Sequence, residues 1–504
     1  MSSTQTSKKK KILLIRANYL PGLLGRQIVP PLGILTLAAV LRRERGGQYD
    51  IKILDTGISK THPLQTEKFI RDFSPDIVGI SALSLESANL HVIAAVTKRV
   101  SQNIKVIVGG PHATTFYDII LKDPNVDYAV VGEGEMTFVE LLDYLNDGAD
   151  GAGIKGVACL RNGELKFGGV RPFIEDLDSL PFPAWDLVKL LPYSRRVINM
   201  QGLLAASPYA PLFTSRACPY RCVYCHQNFG KKFRAQSAER TIEEIDMLTK
   251  KFNVKEIHIF DDVFNLDSQR VLDICEGILR KGLKIKISFP NGIRGDLLGK
   301  EVLSALSRAG TYLITYAVET ATPRIQKMIH KNLDLEKIKQ TIEWSFDMGI
   351  IPAGFFMFGF PTETEEEMRN TVKFALNSKL LKALFFCVVP FPRTELYDLI
   401  KKTYPQLDFS YDFTGAMHYW STTPYYTQVT GIDVATIQKR AWAKFFLDPW
   451  RLWTILKRYP KNWNFINTAY QSIFSTFLAF GRPDAPMKEL YQSVRKYTIH
   501  EESN

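Results

Sequence analysis

The most informative segment of the chain is Phe213-Thr-Ser-Arg-Ala-Cys218-Pro-Tyr-Arg-Cys222-Val-Tyr-Cys225-His226. It places three cysteines at C-x3-C-x2-C spacing, directly after an apolar run, Pro211–Phe213, that is typical of the end of a strand. Three thiolates on one loop can converge on a metal cluster. A cubane of four irons and four sulfides normally takes four cysteine ligands, so three leave one iron open. An open position distinguishes a catalytic metal site from a closed structural one.

The alternatives to a cluster are a zinc site or three buried thiols. Zinc in a structural site requires four ligands, so a fourth cysteine or a histidine would have to join the three cysteines. His226 follows Cys225 directly and is too close to it in sequence to complete such a site well. The spacing therefore favours an iron–sulfur cluster.

Length and composition indicate a globular protein of two or three domains. The chain has 504 residues, of which 45% are hydrophobic and 23% charged, so extensive disorder is not expected. Of six cysteines, three lie outside the motif, and Cys159, Cys275 and Cys387 occur singly in apolar surroundings. They are expected to be buried thiols, which fits a reducing, cytoplasmic compartment.

The net charge of +12 suggests a nucleic acid or an anionic membrane as a partner. Part of this charge is the run Lys8–Lys11, which we interpret as a solvated terminus, and no nucleic acid is expected. The longest weakly polar stretch, residues 465–480, is too short to span a bilayer. The protein is expected to be cytoplasmic, with peripheral contact at the inner face of the membrane as the alternative.

Residues 1–150 alternate strand and helix signals, which predicts an N-terminal, doubly wound parallel sheet of the Rossmann type. Residues 151–204 are rich in glycine and then proline and are interpreted as a linker. Residues 205–400 resume the alternation with six strand candidates, which predicts a partial (β/α)6 barrel. Residues 401–504 are expected to be mainly helical. Ligands of both folds are expected at the carboxyl ends of the strands.

The cysteine motif and its setting resemble the radical S-adenosylmethionine (SAM) superfamily, and Tyr224, just before the last cysteine, belongs to this likeness. The resemblance implies that Cys218, Cys222 and Cys225 hold a [4Fe-4S] cluster. It also implies that the open iron is chelated by the amino and carboxylate groups of SAM. Electron transfer then cleaves SAM to a deoxyadenosyl radical, and the electron comes from a donor such as ferredoxin or flavodoxin.

The same resemblance implies further SAM contacts at strand ends of the barrel. The adjacent carboxylates Asp261 and Asp262 would hold the ammonium group, unless they form an ordinary acidic turn. Arg294 would pair with the SAM carboxylate or brace one of these aspartates. Glu319 would contact ribose hydroxyls, or else form an ion pair within the barrel. One departure is Arg393, which stands where a glycine is common in the family.

The N-terminal region resembles the cobalamin-binding domain that is fused to radical SAM enzymes. The likeness rests on Ser81-x-Leu83, on Gly109-Gly110 and on Val131-Gly132-Glu133-Gly-Glu135. The predicted cobalamin contacts among them are Ser81, Leu83, Gly109, Gly110, Gly132 and Glu133. The usual Asp-x-His-x-x-Gly motif, whose histidine ligates cobalt from below, is absent, and residues 18–33 stand in its place. The resemblance therefore implies cobalamin without an axial histidine from that motif.

Near the C-terminus, aromatic residues such as Trp442, Trp450 and Trp453 are interleaved with arginines and lysines. This pattern is typical either of a helix in a membrane interface or of an amphipathic helix that caps the barrel mouth. Both interpretations give the site an apolar, cationic neighbour and favour a large lipophilic or anionic substrate.

Together these features predict a cobalamin-dependent radical SAM enzyme that methylates an unactivated carbon of a lipophilic small molecule, such as a lipid, isoprenoid or tetrapyrrole. One alternative is a cobalamin-assisted rearrangement or oxidative cyclisation, as in the anaerobic cyclase of chlorophyll synthesis. Another is a non-catalytic cobalamin or iron–sulfur sensor. Methylthio transfer is disfavoured because the chain has no cysteine before Cys159.

Overall fold

The computed structural model describes residues 9–17, 28–59, 63–149, 151–195, 204–406, 411–412, 430–459 and 499–500. Its first sheet has seven strands in the order β2-β1-β3-β4-β5-β6-β7, and β1 to β5 are parallel. The strands are β1 Lys10–Arg16, β2 Tyr49–Asp55, β3 Ile77–Ser81, β4 Lys105–Gly109, β5 Tyr128–Val130, β6 Val157–Arg161 and β7 Glu164–Phe167.

Helices cover both faces of this sheet, which confirms the doubly wound fold. Successive residues of β1 point to opposite faces: Leu13 and Ile15 lie in one core, Ile12 and Leu14 in the other. The strands therefore carry continuous apolar runs. The chain order reverses between β1 and β3, the place where doubly wound folds bind ligands. The helices are Leu32–Arg45, Thr56–Ser59, Pro63–Phe73, Ser87–Val100, Gly110–Ile120 and Gly134–Asn146.

The stretch predicted as a linker contains the hairpin β6–β7, which adds two antiparallel strands to the sheet. The prediction of a plain linker is wrong here, whereas the predicted parallel sheet is confirmed for β1 to β5. The turn residues Asn162 and Gly163 have φ of 53° and 80°. Both values are positive, as a two-residue hairpin turn requires, and Asn-Gly is the strongest short signal for such a turn.

The second sheet confirms the partial barrel: six parallel strands in the order β15-β14-β13-β12-β11-β8. They are β8 Tyr209–Leu212, β11 Glu256–Ile259, β12 Lys286–Ile293, β13 Thr311–Glu319, β14 Ile351–Phe358 and β15 Lys382–Cys387. After β8 the chain forms a short antiparallel pair, β9 Ser215–Arg216 and β10 Arg234–Ala235. This pair closes the base of the cysteine loop, which runs between the two strands.

One described helix precedes the barrel, six on its outside connect its strands, and three follow. They are Leu190–Arg195, Ala238–Phe252, Ser268–Arg280, Lys300–Arg308, Pro323–Met328, Leu335–Asp347, Glu365–Leu376, Glu395–Thr403, Val434–Phe446 and Pro449–Arg458. A last antiparallel pair joins β16 Tyr411–Asp412 to β17 Ile499–His500. In the part of the chain described here, no helix is both long and apolar enough to cross a membrane.

Helix Val434–Phe446 packs on the outer, helix-facing side of β15 and not over the barrel mouth. Phe445 is fully buried in the core that contains Phe385, and the Gln438 Nε2 donates to the Phe385 carbonyl over 2.7 Å. The predicted cap at the mouth is therefore wrong for this helix. The predicted apolar stretch at 465–480 lies outside the described residues.

The turn after β14 is built on a buried carboxyl group. The Glu363 Oε2 accepts hydrogen bonds from the backbone N–H groups of Gly359 and Phe360, over 2.8 and 3.0 Å. Burial raises the pKa of Glu363 to about 8, although these hydrogen bonds oppose the shift. An unfolded glutamate titrates near pH ~4.3, so between the two values the folded state binds the extra proton.

We predict that the protein loses stability as the pH rises from about 5 to 8, because Glu363 must then bear a buried charge. Glu363→Gln should flatten this dependence, measured as the midpoint of thermal unfolding at each pH. Glu366→Gln, at an exposed position of the following helix, should leave the dependence unchanged. An unaltered pH dependence in Glu363→Gln would contradict the prediction.

Candidate active site

The three motif cysteines lie on the loop between β9 and β10, at the carboxyl end of β8. Cys218 and Cys222 are half-buried, and Cys225 is exposed. Loss of solvent around the thiol, together with the nearby Cys222, Cys218 and Asp262, raises the pKa of Cys225 to about 12. Burial also raises the pKa of Cys218. Bound iron would compensate the charges of such thiolates.

The described residues do not form a ready site for a single metal ion. Within the described ranges, no three Cys, His, Asp or Glu side chains are grouped to hold one. The alternative zinc site would need four ligands, and these residues give it no preformed set.

Arg294 supports the cysteine loop. Its guanidinium lies 3.8 Å from the centroid of the Tyr220 ring. Tyr220 stands between Cys218 and Cys222 in the sequence. The Nε and Nη2 donate to the two oxygens of Asp296, over 3.0 and 3.1 Å. The predicted bracing of Asp261 or Asp262 by Arg294 is thus wrong, because Asp296, two residues along, takes up the guanidinium.

The two adjacent aspartates after β11 have different environments. Asp261 is buried and accepts hydrogen bonds from the Thr214 N–H, the Thr214 Oγ1 and the Ser215 Oγ, each over 2.6 Å. Its carboxylate thus fixes the start of the cysteine loop. Asp262 is exposed beside the cysteines. Desolvation by the surrounding cleft, and then the Asp261 charge, raise the pKa of Asp262 to about 6.

Glu319 forms the ion pair that was the alternative to a ribose contact. The Lys331 Nζ donates to the Glu319 Oε1 over 2.9 Å and to the Tyr224 hydroxyl over 3.2 Å. Glu319 also has φ of 66°, a strained value for a residue with a side chain. Lys331 was not identified from the sequence, because nothing in its own segment indicates a partner on β13.

A cavity of about 430 Å³ opens between the first sheet and the barrel. All six predicted cobalamin contacts line it: Ser81, Leu83, Gly109, Gly110, Gly132 and Glu133. Gly110 has φ of 85°, and a Cβ there would lie 2.7 Å from the Ser81 Oγ. Glycine is therefore required at 110 by the close approach of Ser81. At Gly132, with φ of 83°, no protein atom lies within 4 Å of a Cβ position, so its backbone is open to a ligand in the cavity.

The lining that the structure describes contains no histidine. Arg16 and Glu86 line the cavity at the end of β1, with a shortest N–O distance of 3.6 Å. This agrees with the absence of the Asp-x-His-x-x-Gly motif. The described residues of the lining fit a corrinoid that receives no imidazole from them.

Two family models match the chain. The model of the radical SAM superfamily matches residues 212–375, and the model of the B12 binding domain matches residues 25–142. An uncharacterized methyltransferase of Pyrococcus horikoshii is 34% identical over 372 residues, which cover 73% of this chain and 78% of the relative. The chain belongs to the cobalamin-binding radical SAM enzymes.

Further relatives agree with this assignment. The cytidylyl-2-hydroxyethylphosphonate methyltransferase of Streptomyces wedmorensis is 28% identical over 444 residues, covering 78% of this chain and 82% of the relative. The structure of the radical SAM methyltransferase TsrM from Kitasatospora setae, with cobalamin and a [4Fe-4S] cluster bound, has the same fold. Its TM-score is 0.64 at 18% identity, with 78% of each chain covered. The cofactors of this radical SAM enzyme are a [4Fe-4S] cluster, SAM and cobalamin.

The two cofactor domains of the radical SAM enzyme are joined by buried ion pairs. The Glu133 Oε1 lies 2.9 Å from nitrogens of both Arg216 and Arg234, and the Glu135 Oε1 lies 2.6 Å from Arg216. The Ile174 N–H donates to the other Glu133 oxygen over 2.7 Å. Glu133, predicted as a cobalamin contact, thus lines the cavity while its carboxylate binds β9 and β10.

Arg393 forms a second contact between the domains. Its Nη2 donates to both oxygens of Asp118, over 3.0 and 2.7 Å, and its Nη1 donates to the Thr115 carbonyl. The guanidinium also lies 5.1 Å from the centroid of the Phe116 ring. An arginine at a position with φ of 65°, where the family commonly has glycine, is therefore explained by its reach to helix Gly110–Ile120.

We predict that Glu133→Gln destabilises the protein by about 3 kcal/mol, because it leaves Arg234, 2% exposed, without its carboxylate partner. Urea denaturation of the apoprotein measures this loss. The control is Glu175→Gln, which removes a partner of Lys232 from an exposed pair and should cost less than ~0.5 kcal/mol. Equal losses in the two variants would contradict the prediction.

Proposed function

We propose that this radical SAM enzyme transfers a methyl group to an unactivated carbon of a lipophilic small molecule. The observation that carries the proposal is the shared cavity: it is lined by the glycine turns of the first domain and by Phe213, Arg216 and Phe229, which flank and belong to the cysteine loop. A corrinoid held there would adjoin the site of radical formation. The relatives named above are methyltransferases.

An apolar surface at the barrel mouth supports a lipophilic substrate. Phe355, Met357 and Phe386 are partly exposed near the ends of β14 and β15, and the two phenylalanine rings lie 5.6 Å apart. Their neighbours Phe356 and Phe385 lie in the outer core. By the alternation of strand residues, the first set faces the barrel interior.

The chain's own residues would orient the reactants. The cluster and SAM supply the radical when bound, and cobalamin supplies the methyl group. Asp262 is placed to hold the SAM ammonium group, because it is exposed whereas Asp261 is engaged by Thr214 and Ser215. The pair of Glu319 and Lys331 would hold Tyr224 beside the cluster. Exposure of Cys225 leaves this edge of the loop accessible to a donor such as ferredoxin or flavodoxin.

The decisive experiment is incubation of the anaerobically reconstituted enzyme with methyl-labelled SAM, a reductant, cobalamin and a cell lipid extract. We expect label in a lipophilic product, together with deoxyadenosine. Deoxyadenosine without transferred label would instead support the alternative of rearrangement or oxidative cyclisation. Cys222→Ala should lose the cluster and form neither product. No SAM cleavage by the intact enzyme would overturn the enzymatic assignment and favour a sensor.

The exposed face of helix Pro449–Arg458 supports peripheral contact with an anionic membrane on the cytoplasmic side. Trp453 and Leu456 are 69% and 53% exposed, and Lys457 beside them is exposed. Arg451, on the opposite face, is fixed by hydrogen bonds to the carbonyls of Leu380 and Ser378, over 3.1 Å each. The apolar face therefore cannot turn inward without breaking these bonds.

We predict that the enzyme co-sediments with vesicles containing phosphatidylglycerol, and that salt weakens this binding because it screens the lysines. Trp453→Ala should reduce the bound fraction several-fold, since indole groups favour the interface. Leu165→Ala, an exposed apolar position on β7, serves as the control. Absence of binding at low salt would remove the membrane proposal without affecting methyl transfer.

A further inference from the structure

The barrel side of the shared cavity contains two buried polar atoms that are not hydrogen-bonded. These are the Gln236 Oε1 and the Arg240 Nε, which have no partner in the described part of the chain. Both residues line the cavity, and Gln236 is only 9% exposed. A buried polar atom without a hydrogen bond is unfavourable, so such atoms in a ligand cavity indicate that the ligand satisfies them.

The backbone of Gln236 and the guanidinium of Arg240 are held in place by their surroundings. The Gln236 backbone N–H donates to the Thr214 carbonyl over 2.9 Å, and its carbonyl accepts from the Arg270 Nε over 2.6 Å. The Arg240 guanidinium lies 4.5 Å from the centroid of the Phe182 ring. The free acceptor and the free donor are therefore fixed features of the wall and not the ends of mobile surface chains.

One acceptor and one donor are what a primary carboxamide needs, since its NH₂ donates and its oxygen accepts. An amide satisfies this wall better than an anion does, because the Gln236 oxygen can only accept and an anionic oxygen has no hydrogen to donate to it. A corrin ring bears primary carboxamides along its edge, whereas the nucleotide tail of cobalamin carries a phosphate.

We propose that Gln236 and Arg240 bind a primary carboxamide at the edge of the corrin ring, so that the barrel holds the cofactor together with the first domain. The inference rests on cobalamin occupying this cavity. Gln236 immediately follows β10, the strand that closes the cysteine loop. The contact therefore ties the position of the corrinoid to the loop that carries the cluster.

The test is an anaerobic absorbance titration of the cluster-containing, full-length enzyme with hydroxocobalamin and, separately, with cobinamide, which keeps the ring carboxamides but lacks the nucleotide. Gln236→Leu and Arg240→Lys should each weaken both ligands about tenfold, the loss expected for one buried hydrogen bond. Lys keeps the positive charge that can lie over Phe182 and lacks the Nε donor. Glu243→Gln, exposed on the same helix, should change neither affinity.

The double variant distinguishes a shared amide from two unrelated effects. If both side chains bind one carboxamide, the losses should not multiply, and the double variant should be well short of a hundredfold weaker. Thermal unfolding of each apoprotein checks its folding, and Arg240→Lys carries the test should Gln236→Leu fail to fold.

Three results would overturn the proposal: unchanged affinities, a loss for cobalamin but not for cobinamide, or fully multiplicative losses. Because the titration requires no turnover, its outcome is independent of whether the enzyme transfers a methyl group.

Discussion

The structure depends on one shared carboxylate. Glu133 follows a strand of the first sheet and binds Arg216 and Arg234, which belong to the two short strands at the base of the cysteine loop. These groups are nearly removed from water, so each needs the others to remain charged. The glycine turns that line the cavity and the cysteine loop are thereby held in a fixed position relative to each other. A reaction that uses two cofactors at one carbon requires this fixed position, because misplacement of the reacting atoms by about an ångström greatly lowers the rate.

Features carried by local sequence were predictable. Apolar runs identified the parallel strands, and the C-x3-C-x2-C spacing identified the cluster loop. Gly109, Gly110 and Gly132 were identified from the resemblance to the cobalamin-binding domain. The positive φ of Gly110 and Gly132 explains why glycine stands at these two positions. The hairpin at Asn162-Gly163 carried an equally local signal that the interpretation as a linker overlooked.

Features that depend on distant partners were not predictable. Asp261 and Asp262 are neighbours with the same chemistry, and only the fold shows that one faces Thr214 and the other faces the cleft. The ion pairs of Lys331 with Glu319 and of Arg393 with Asp118 likewise join separate segments. Nothing in the sequence of one segment indicates its partner in the other. Arginine at a position commonly held by glycine is a departure that only its interdomain partner explains.

The hairpin β6–β7 also determines how the first sheet ends. Without it, β5 would present a row of unpaired amide and carbonyl groups, flanked by apolar side chains, to any extended chain nearby. Instead the outermost strand is short and carries Glu164 and Lys166, both exposed. Charged, short borders of this kind discourage strand addition from neighbouring molecules. The hairpin therefore gives the first sheet an edge that disfavours strand pairing between copies of this domain.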